Sequence, residues 1–363
     1  MSTIDELLKM MVSQGASDLH FVTGQNPMFR LSGRIEPLRH GTINEASFVE
    51  TLRPIVPEAI WGDFHQSGDA DFAYSLEGVA RYRVNLFRQE KGSGAVFRVI
   101  PSKIMTLETL GVPEQVKRFA EMTRGLVLVT GPTGSGKSTT LSAVINQINE
   151  SRAVHIVTIE DPIEFVHPNK RALISQREVG AHATSFADAL KAAVREDPDV
   201  ILVGEMRDLE TIRMALHSAE TGVLVFGTLH TNGASRTIDR MINVFPVDEQ
   251  ETVRATIAET LRGVIAQQLI PRVGGGRVAA YEVLFAHAAL SNIIREGKTH
   301  MIESMIKTGQ RLGMVSMDDA LKRLVADETI DPKDGLGKAI NKEEFRKFLR
   351  TQGYESEEGN DTR

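Results

Sequence analysis

Gly131-Pro132-Thr133-Gly134-Ser135-Gly136-Lys137-Ser138 matches the pattern G-x-x-x-x-G-K-[ST] at every fixed position. These residue types at this spacing suit one chemistry. Glycines let backbone N–H groups converge on phosphate oxygens, and a helix starting behind them adds the positive end of its dipole. Lys137 would then reach the β- and γ-phosphates of ATP, while Ser138, with Thr139 behind it, opens the helix and holds Mg²⁺. The flanks agree with this. Leu126-Val127-Leu128-Val129 is a short apolar run of the kind found in buried parallel strands, and Thr139 to Ile148 is helical in pattern. An ordinary Gly-rich turn between strand and helix is the bland alternative. The full set of fixed positions between such flanks favours a nucleoside triphosphate site.

A phosphate site needs water activation and a metal environment, and the carboxylates that could supply them recur downstream. Strands and helices alternate after the loop, which predicts a parallel sheet with helices on both sides. Val154 to Ile159 reads as a strand ending in Glu160-Asp161-Pro162-Ile163-Glu164. Val200-Ile201-Leu202-Val203 is a second, running into Gly204-Glu205, and Val223 to Thr228 is a third, followed by Leu229-His230-Thr231. Between them Ser185-x-x-Asp188 caps one helix, and Asp208 starts another. Sheets of this kind bind ligands beyond the carboxyl ends of their strands. Glu205 is the candidate to polarise the attacking water and assist Mg²⁺ binding. Its alternative is a carboxylate placed at a helix N-terminus for the dipole. Glu160 and Glu164 could hold Mg²⁺ or order water, and Asp161 could instead anchor the turn at Pro162. His230 could sense the γ-phosphate or be structural.

The chain before the loop reads differently. Thr3-x-x-Glu6 has the form of a capping box, and Ile4, Leu7, Leu8, Met11 and Val12 follow on one helical face until Gly15. Short strands come next at Leu19 to Val22, Met28 to Leu31, Ala80 to Phe87 and Ala95 to Ile100, with a helix near Ala46 to Pro54. This is the pattern of a small α+β domain over residues 1–100. Along Ala80 to Phe87, Tyr82, Val84 and Leu86 alternate with Arg81, Arg83 and Asn85, and Gly92 and Gly94 mark a turn. Arg98 then interrupts an apolar run. These arginines are either solvated strand faces or a surface turned to phosphate, and the residues alone leave both open. Residues 101–118 read as a connector, 119–350 as the ATPase domain with C-terminal helices, and 351–363 as a disordered tail. Within the C-terminal part, Asn341-x-x-Glu344 caps a helix with Phe345, Phe348 and Leu349 on one face, suited to packing or to docking a partner.

Composition sets the bounds. A length of 363 residues implies about two domains. The net charge of −6 offers no basic field for nucleic acid, so no nucleic-acid partner is expected. The chain has no cysteine, which excludes disulfides and thiolate zinc sites. Neither a signal peptide nor an apolar run near the roughly 20 residues of a membrane span is present, so a cytoplasmic protein is expected.

The P-loop, Ile159-Glu160-Asp161-Pro162-Ile163-Glu164, Val200-Ile201-Leu202-Val203-Gly204-Glu205 and Thr221 to His230 together resemble the Walker A, Asp box, Walker B and His box of the secretion-superfamily hexameric ATPases. Ser17-Asp18-Leu19-His20, Gln176-Arg177-Glu178-Val179-Gly180 and Gly204-Glu205-Met206-Arg207-Asp208 are similar to the PilT family of type IV pilus retraction ATPases. The resemblance implies an α/β fold in which a PAS-like α+β domain precedes a RecA-like P-loop ATPase domain. It implies a homohexameric ring docked peripherally on an inner-membrane platform protein at the pilus base, with a paralogous retraction ATPase as a further partner. It also implies that Arg83 and Arg98 stand where the family's phosphate-contacting arginines do. Two positions depart from the family pattern: Val223 replaces the second histidine of the His box, and Ser291 replaces the first arginine of the signature at Ala289 to Glu296. Extension and secretion relatives carry further N-terminal domains and, in most cases, a four-cysteine zinc element. With no room before residue 3 and no cysteine, retraction is the expectation ahead of extension, secretion or a nucleotide-gated scaffold.

Overall fold

The computed structural model describes residues 3–31, 33–100 and 104–354. They form two compact units. The first gathers the described residues up to 100 together with Glu164–Val166, and the second gathers Ile104–Ile163 and the described residues from His167 onward.

The first unit opens with α1 (Thr3–Ser13) and carries β1 (Asp18–Val22), β2 (Met28–Leu31), β3 (Arg34–Pro37), α2 (Glu45–Leu52), α3 (Glu58–Ser67), β4 (Asp69–Leu76), β5 (Ala80–Gln89) and β6 (Gly92–Ile100). Its strands lie antiparallel in the order β3-β2-β1-β6-β5-β4. The strict alternation in β5 has its expected result: Tyr82, Val84 and Leu86 are fully buried, packed with Phe21, Phe97 and the α1 residues Ile4, Leu8 and Met11. Tyr82 reaches through this core to donate to the carbonyl of Leu8 at 3.0 Å. Val12 departs from the sequence reading, since it faces solvent. The position of Thr3's side chain, where a cap is expected, lies outside the described residues. Gly92 and Gly94 belong to β6 itself, and the hairpin turns at Glu90-Lys91 instead. Gly94 packs where an added Cβ would stand 2.5 Å from the Phe87 ring, so it is a close approach across the hairpin rather than a bend.

The second unit contains α4 (Lys117–Glu121), β7 (Gly125–Thr130), α5 (Lys137–Ser151), β8 (His155–Glu160), β9 (Leu173–Glu178), α6 (Phe186–Ala193), β10 (Val200–Val203), α7 (Leu209–Glu220) and β11 (Leu224–Leu229). There follow α8 (Ala234–Asn243), α9 (Gln250–Thr260), β12 (Leu261–Pro271), β13 (Arg277–Phe285), α10 (Ala288–Arg295), α11 (Ile302–Thr308), α12 (Met317–Ala326), α13 (Pro332–Lys338) and α14 (Lys342–Thr351). The sheet runs β13-β12-β7-β11-β10-β8-β9. All its neighbours are parallel except β12 and β13, which form an antiparallel edge pair. The P-loop strand β7 therefore sits inside the sheet between β11 and β12, the RecA-like order. Every residue of β7, β10 and β11 is buried, as continuous apolar runs in a sheet covered on both faces require.

Residues 104–116, expected as part of a connector, pack instead: Leu107, Val112 and Val116 lie in the main core of this unit. The C-terminal helices close a separate small core, where Phe345 and Leu349 of α14 meet Met317, Leu321, Val325 and Ile330, with Ile270 of β12 and Ala280 of β13 beneath. The apolar face of α14 is thus spent on packing. The tail expected over 351–363 starts later than that: Thr351 is the last residue of α14, and Tyr354 packs against the small core with its N–H donating to the Leu349 carbonyl at 2.9 Å, while residues 355–363 lie outside the described residues.

Candidate active site

The P-loop follows directly from β7. Gly131, Gly134 and Gly136 have φ of +149°, +75° and +87°, a region that side-chain-bearing residues rarely adopt, and Gly136 is the N-cap of α5. Pro132 and Thr133 are exposed, Ser135 and Lys137 are buried, and Ser138 and Thr139 are half-buried in the first turn of α5. Lys137 folds back onto the loop, its Nζ donating to the carbonyls of Gly131 at 3.0 Å and Pro132 at 3.2 Å. Its ammonium is thus already gathered into the loop. The base of the loop is tied to β11's end by threonines: the Thr130 hydroxyl donates to the Thr231 carbonyl at 2.5 Å, and the Thr231 hydroxyl meets that of Thr237 at 2.7 Å.

Glu205 is aimed by its neighbours' backbones. The N–H of Gly204 donates to Ile159 of β8 at 2.7 Å, the Thr228 hydroxyl of β11 donates to the Gly204 carbonyl at 2.5 Å, and the N–H of Met206 donates to Thr228 at 3.0 Å. The Met206 side chain fills the space over Gly227, where an added Cβ would meet it at 2.7 Å. Held this way, the Glu205 carboxylate meets Nε2 of His230 at 3.0 Å, and Nδ1 of the same ring lies 3.3 Å from the Thr133 hydroxyl. Glu205, His230 and the P-loop therefore form one chain of polar contacts. Arg207 grips the same carboxylate through Nε and, at 2.6 Å, through its second guanidinium nitrogen. Burial by itself would raise the Glu205 pKa. The Arg207 hydrogen bond, the neighbouring His230 ring and the charges of Arg207 and Lys137 outweigh it, and the carboxyl sits below its ordinary range.

Several of the other expected residues have partners of their own. Glu160 ends β8 and accepts hydrogen bonds from Thr158 at 2.6 Å and from Gln176 at 3.1 Å. Asp161 precedes Pro162 across a cis peptide bond. Glu164 is exposed and belongs with Glu164–Val166 to the first unit. Arg83 and Arg98 face each other across β5 and β6 in that unit. Arg98 donates to Asp18 at 2.7 Å and Arg83 lies 3.5 Å from Asp71. Val223 is partly buried against the main core, and the Ser291 hydroxyl donates to the Ala258 carbonyl at 2.8 Å.

Three residues that the sequence reading passed over matter to this geometry. Arg207 pairs Glu205. Asp18 is a buried carboxylate pairing both Arg98 and Arg30. Gln267 of β12 is buried against the loop, its Nε2 donating to the Ser135 carbonyl at 2.5 Å. The signals were present, since Arg207 and Asp18 lie in the segments Gly204 to Asp208 and Ser17 to His20, and Gln267-Gln268 interrupts an apolar strand.

Comparison with known proteins matches residues 1–275 to the family model "Type II/IV secretion system protein". The chain is 50% identical over 342 residues to the type IV pilus retraction ATPase PilT of Pseudomonas aeruginosa, covering 94% of this chain and 99% of that protein. It is 49% identical over 318 residues to a twitching motility protein of Neisseria gonorrhoeae, covering 87% of this chain and 85% of that one. A crystal structure of the pilus retraction motor PilT with bound ADP superposes with a TM-score of 0.89 at 42% identity, over 95% of this chain and 98% of that chain.

Proposed function

This chain belongs to the type II/IV secretion system protein family, within it to the PilT family, and from that membership we propose that it is an ATP-hydrolysing motor that powers retraction of type IV pili. The observation that carries the reading is the continuous contact from Glu205 through His230 to Thr133 of the P-loop. It joins the residue suited to activate water to the loop suited to hold the phosphates.

The division of labour follows from positions. Lys137 exchanges the carbonyls of Gly131 and Pro132 for phosphate oxygens, so its contribution begins in the ground state. Glu205, ionised and held low in pKa, accepts a hydrogen bond from the attacking water once the Arg207 pairing relaxes. His230 bridges the carboxylate and the loop, so that a change at the phosphates reaches Glu205 through one ring. Arg83 and Arg98 are assigned to the phosphates on the resemblance, with Arg98 oriented by Asp18.

The oxygen donors Ser138 and Glu205, with Glu164 taken as a candidate from its place in the acidic segment after β8, suit Mg²⁺, which takes few protein ligands and completes its shell with phosphate and water. When bound, the ion would neutralise charge developing on the phosphates. In the cell the motor acts as a homohexamer docked on an inner-membrane platform protein, alongside a paralogous retraction ATPase. Among the described residues no helix is long and apolar enough to cross a membrane. Deleting the gene in its host tests the reading: hyperpiliation with loss of surface motility is expected, and normal piliation would overturn it. Loss of pili on deletion would support the extension reading instead.

A further inference from the structure

Gln267 lies within β12, beside the P-loop strand, and is 1% exposed. It meets the loop at both ends. Its main-chain carbonyl stands 2.3 Å from where a Cβ on Gly131 would be, so β12 comes close enough there to require glycine. Its side-chain Nε2 donates to the Ser135 carbonyl at 2.5 Å, while its Oε1 accepts no hydrogen bond from the described residues. A buried amide with one end satisfied and the other stranded is a poor way to fill space. A methionine would occupy the same volume without a stranded oxygen. What the amide offers at this position is its N–H.

That N–H fixes a direction. The peptide unit is planar and trans, so the carbonyl of Ser135 and the N–H of Gly136 point opposite ways. With the carbonyl held against β12, the N–H of Gly136 is turned from the strand to the side on which a P-loop receives phosphate. Gly136 has φ of +87°, and a glycine there has ample freedom to turn the peptide over if nothing restrains it. We propose that Gln267 is a positioning residue of the phosphate site, its side-chain N–H locking the Ser135–Gly136 peptide so that the Gly136 N–H faces the nucleotide. This deepens the nucleotide-binding reading and rests on it.

Titration of the full-length protein with a fluorescent ADP analogue from acid to mildly alkaline pH tests the proposal, with the fold followed by circular dichroism throughout. Gln267→Met keeps the volume and removes the donor. It should weaken binding about tenfold at every pH, the loss expected for one hydrogen bond to a charged ligand's cradle. Gln267→Glu can donate to the Ser135 carbonyl when protonated and repels it when ionised. Its affinity should match wild type at low pH and fall as pH rises through the new side chain's pKa. A packing role would not make affinity follow that protonation. Failure of the wild type to bind would overturn the nucleotide reading itself. With wild type binding, equal affinity in Gln267→Met, or a Gln267→Glu loss that ignores pH or tracks unfolding, would overturn the role of Gln267. If Gln267→Met does not fold, the Gln267→Glu profile decides alone.

Discussion

The carboxylate proposed to activate water is paired on two sides, and each pairing predicts a separable behaviour. Lys137 touches the loop that binds phosphate, whereas Glu205 reaches that loop through His230. Lys137→Ala should therefore weaken ATP binding as well as turnover, while Glu205→Gln should bind ATP with near wild-type affinity and hydrolyse it slowly. Nucleotide titration beside steady-state rates checks this, and equal affinity losses would contradict the assignment. The second behaviour is a pH dependence. The Glu205 pKa is depressed, so the ionised form it needs is present across neutral pH and is lost only as pH falls through that low value. Burial pushes its pKa up and the Arg207 bond is the first force opposing it, so removing Arg207 must raise it. The acid limb of the kcat/KM profile, which reports the free enzyme with Arg207 in place, should move to higher pH in Arg207→Ala. An unmoved limb would mean that Glu205 is not the titrating group.

At the scale of elements, the C-terminal helix makes the firmest stability prediction. Phe345 is fully buried between α12 and α13, where Gly335 lets α13 come close enough that an added Cβ would stand 3.1 Å from the Phe345 ring. Phe345→Ala should cost about 3–5 kcal/mol in urea unfolding. Asn341, whose side chain accepts from the Glu344 N–H at 3.1 Å, should cost about 1 kcal/mol when replaced by alanine. This cap was legible because a capping residue and its apolar face are local features. The same is true of α5, β10, α7 and the alternation in β5, each close to its expected span. What the sequence hid depends on distant pairing. β4 is only half-buried along its length, so it carries no apolar run, and β3 is exposed throughout. Asp18 looked like one polar residue among several until the register placed it opposite Arg98 on one side and Arg30 on the other. Burial raises its pKa and hydrogen bonds from Ser17 and Arg98 bring it lower, so it stays charged between those arginines. Gln267 was hidden for the same reason, because its partner Ser135 is remote in the chain.

For the whole molecule, the family assignment leads to an assembly prediction and to a consequence of how the second unit is built. Purified protein with ATP should run as a single species of six subunits in mass photometry, and a persistent monomer with full ATPase activity would contradict a ring motor. The consequence starts from β12, which belongs to two packings at once. Gln267 grips the P-loop, while Ile270, three residues along, lies under the C-terminal helices in the small core with Phe345 and Leu349. No loop or hinge separates the two positions, since both lie within one hydrogen-bonded strand. Opening of the helices therefore loosens the strand that steadies the phosphate cradle, and a cradle filled by ligand steadies the strand in return. Amide hydrogens of Lys342–Thr351 should exchange more slowly when ADP is bound, although that helix begins 205 residues beyond Lys137 in the chain. A force delivered to those helices would likewise reach the phosphates along a continuous backbone, so the rate of ADP release should respond to load applied at the far end of the chain.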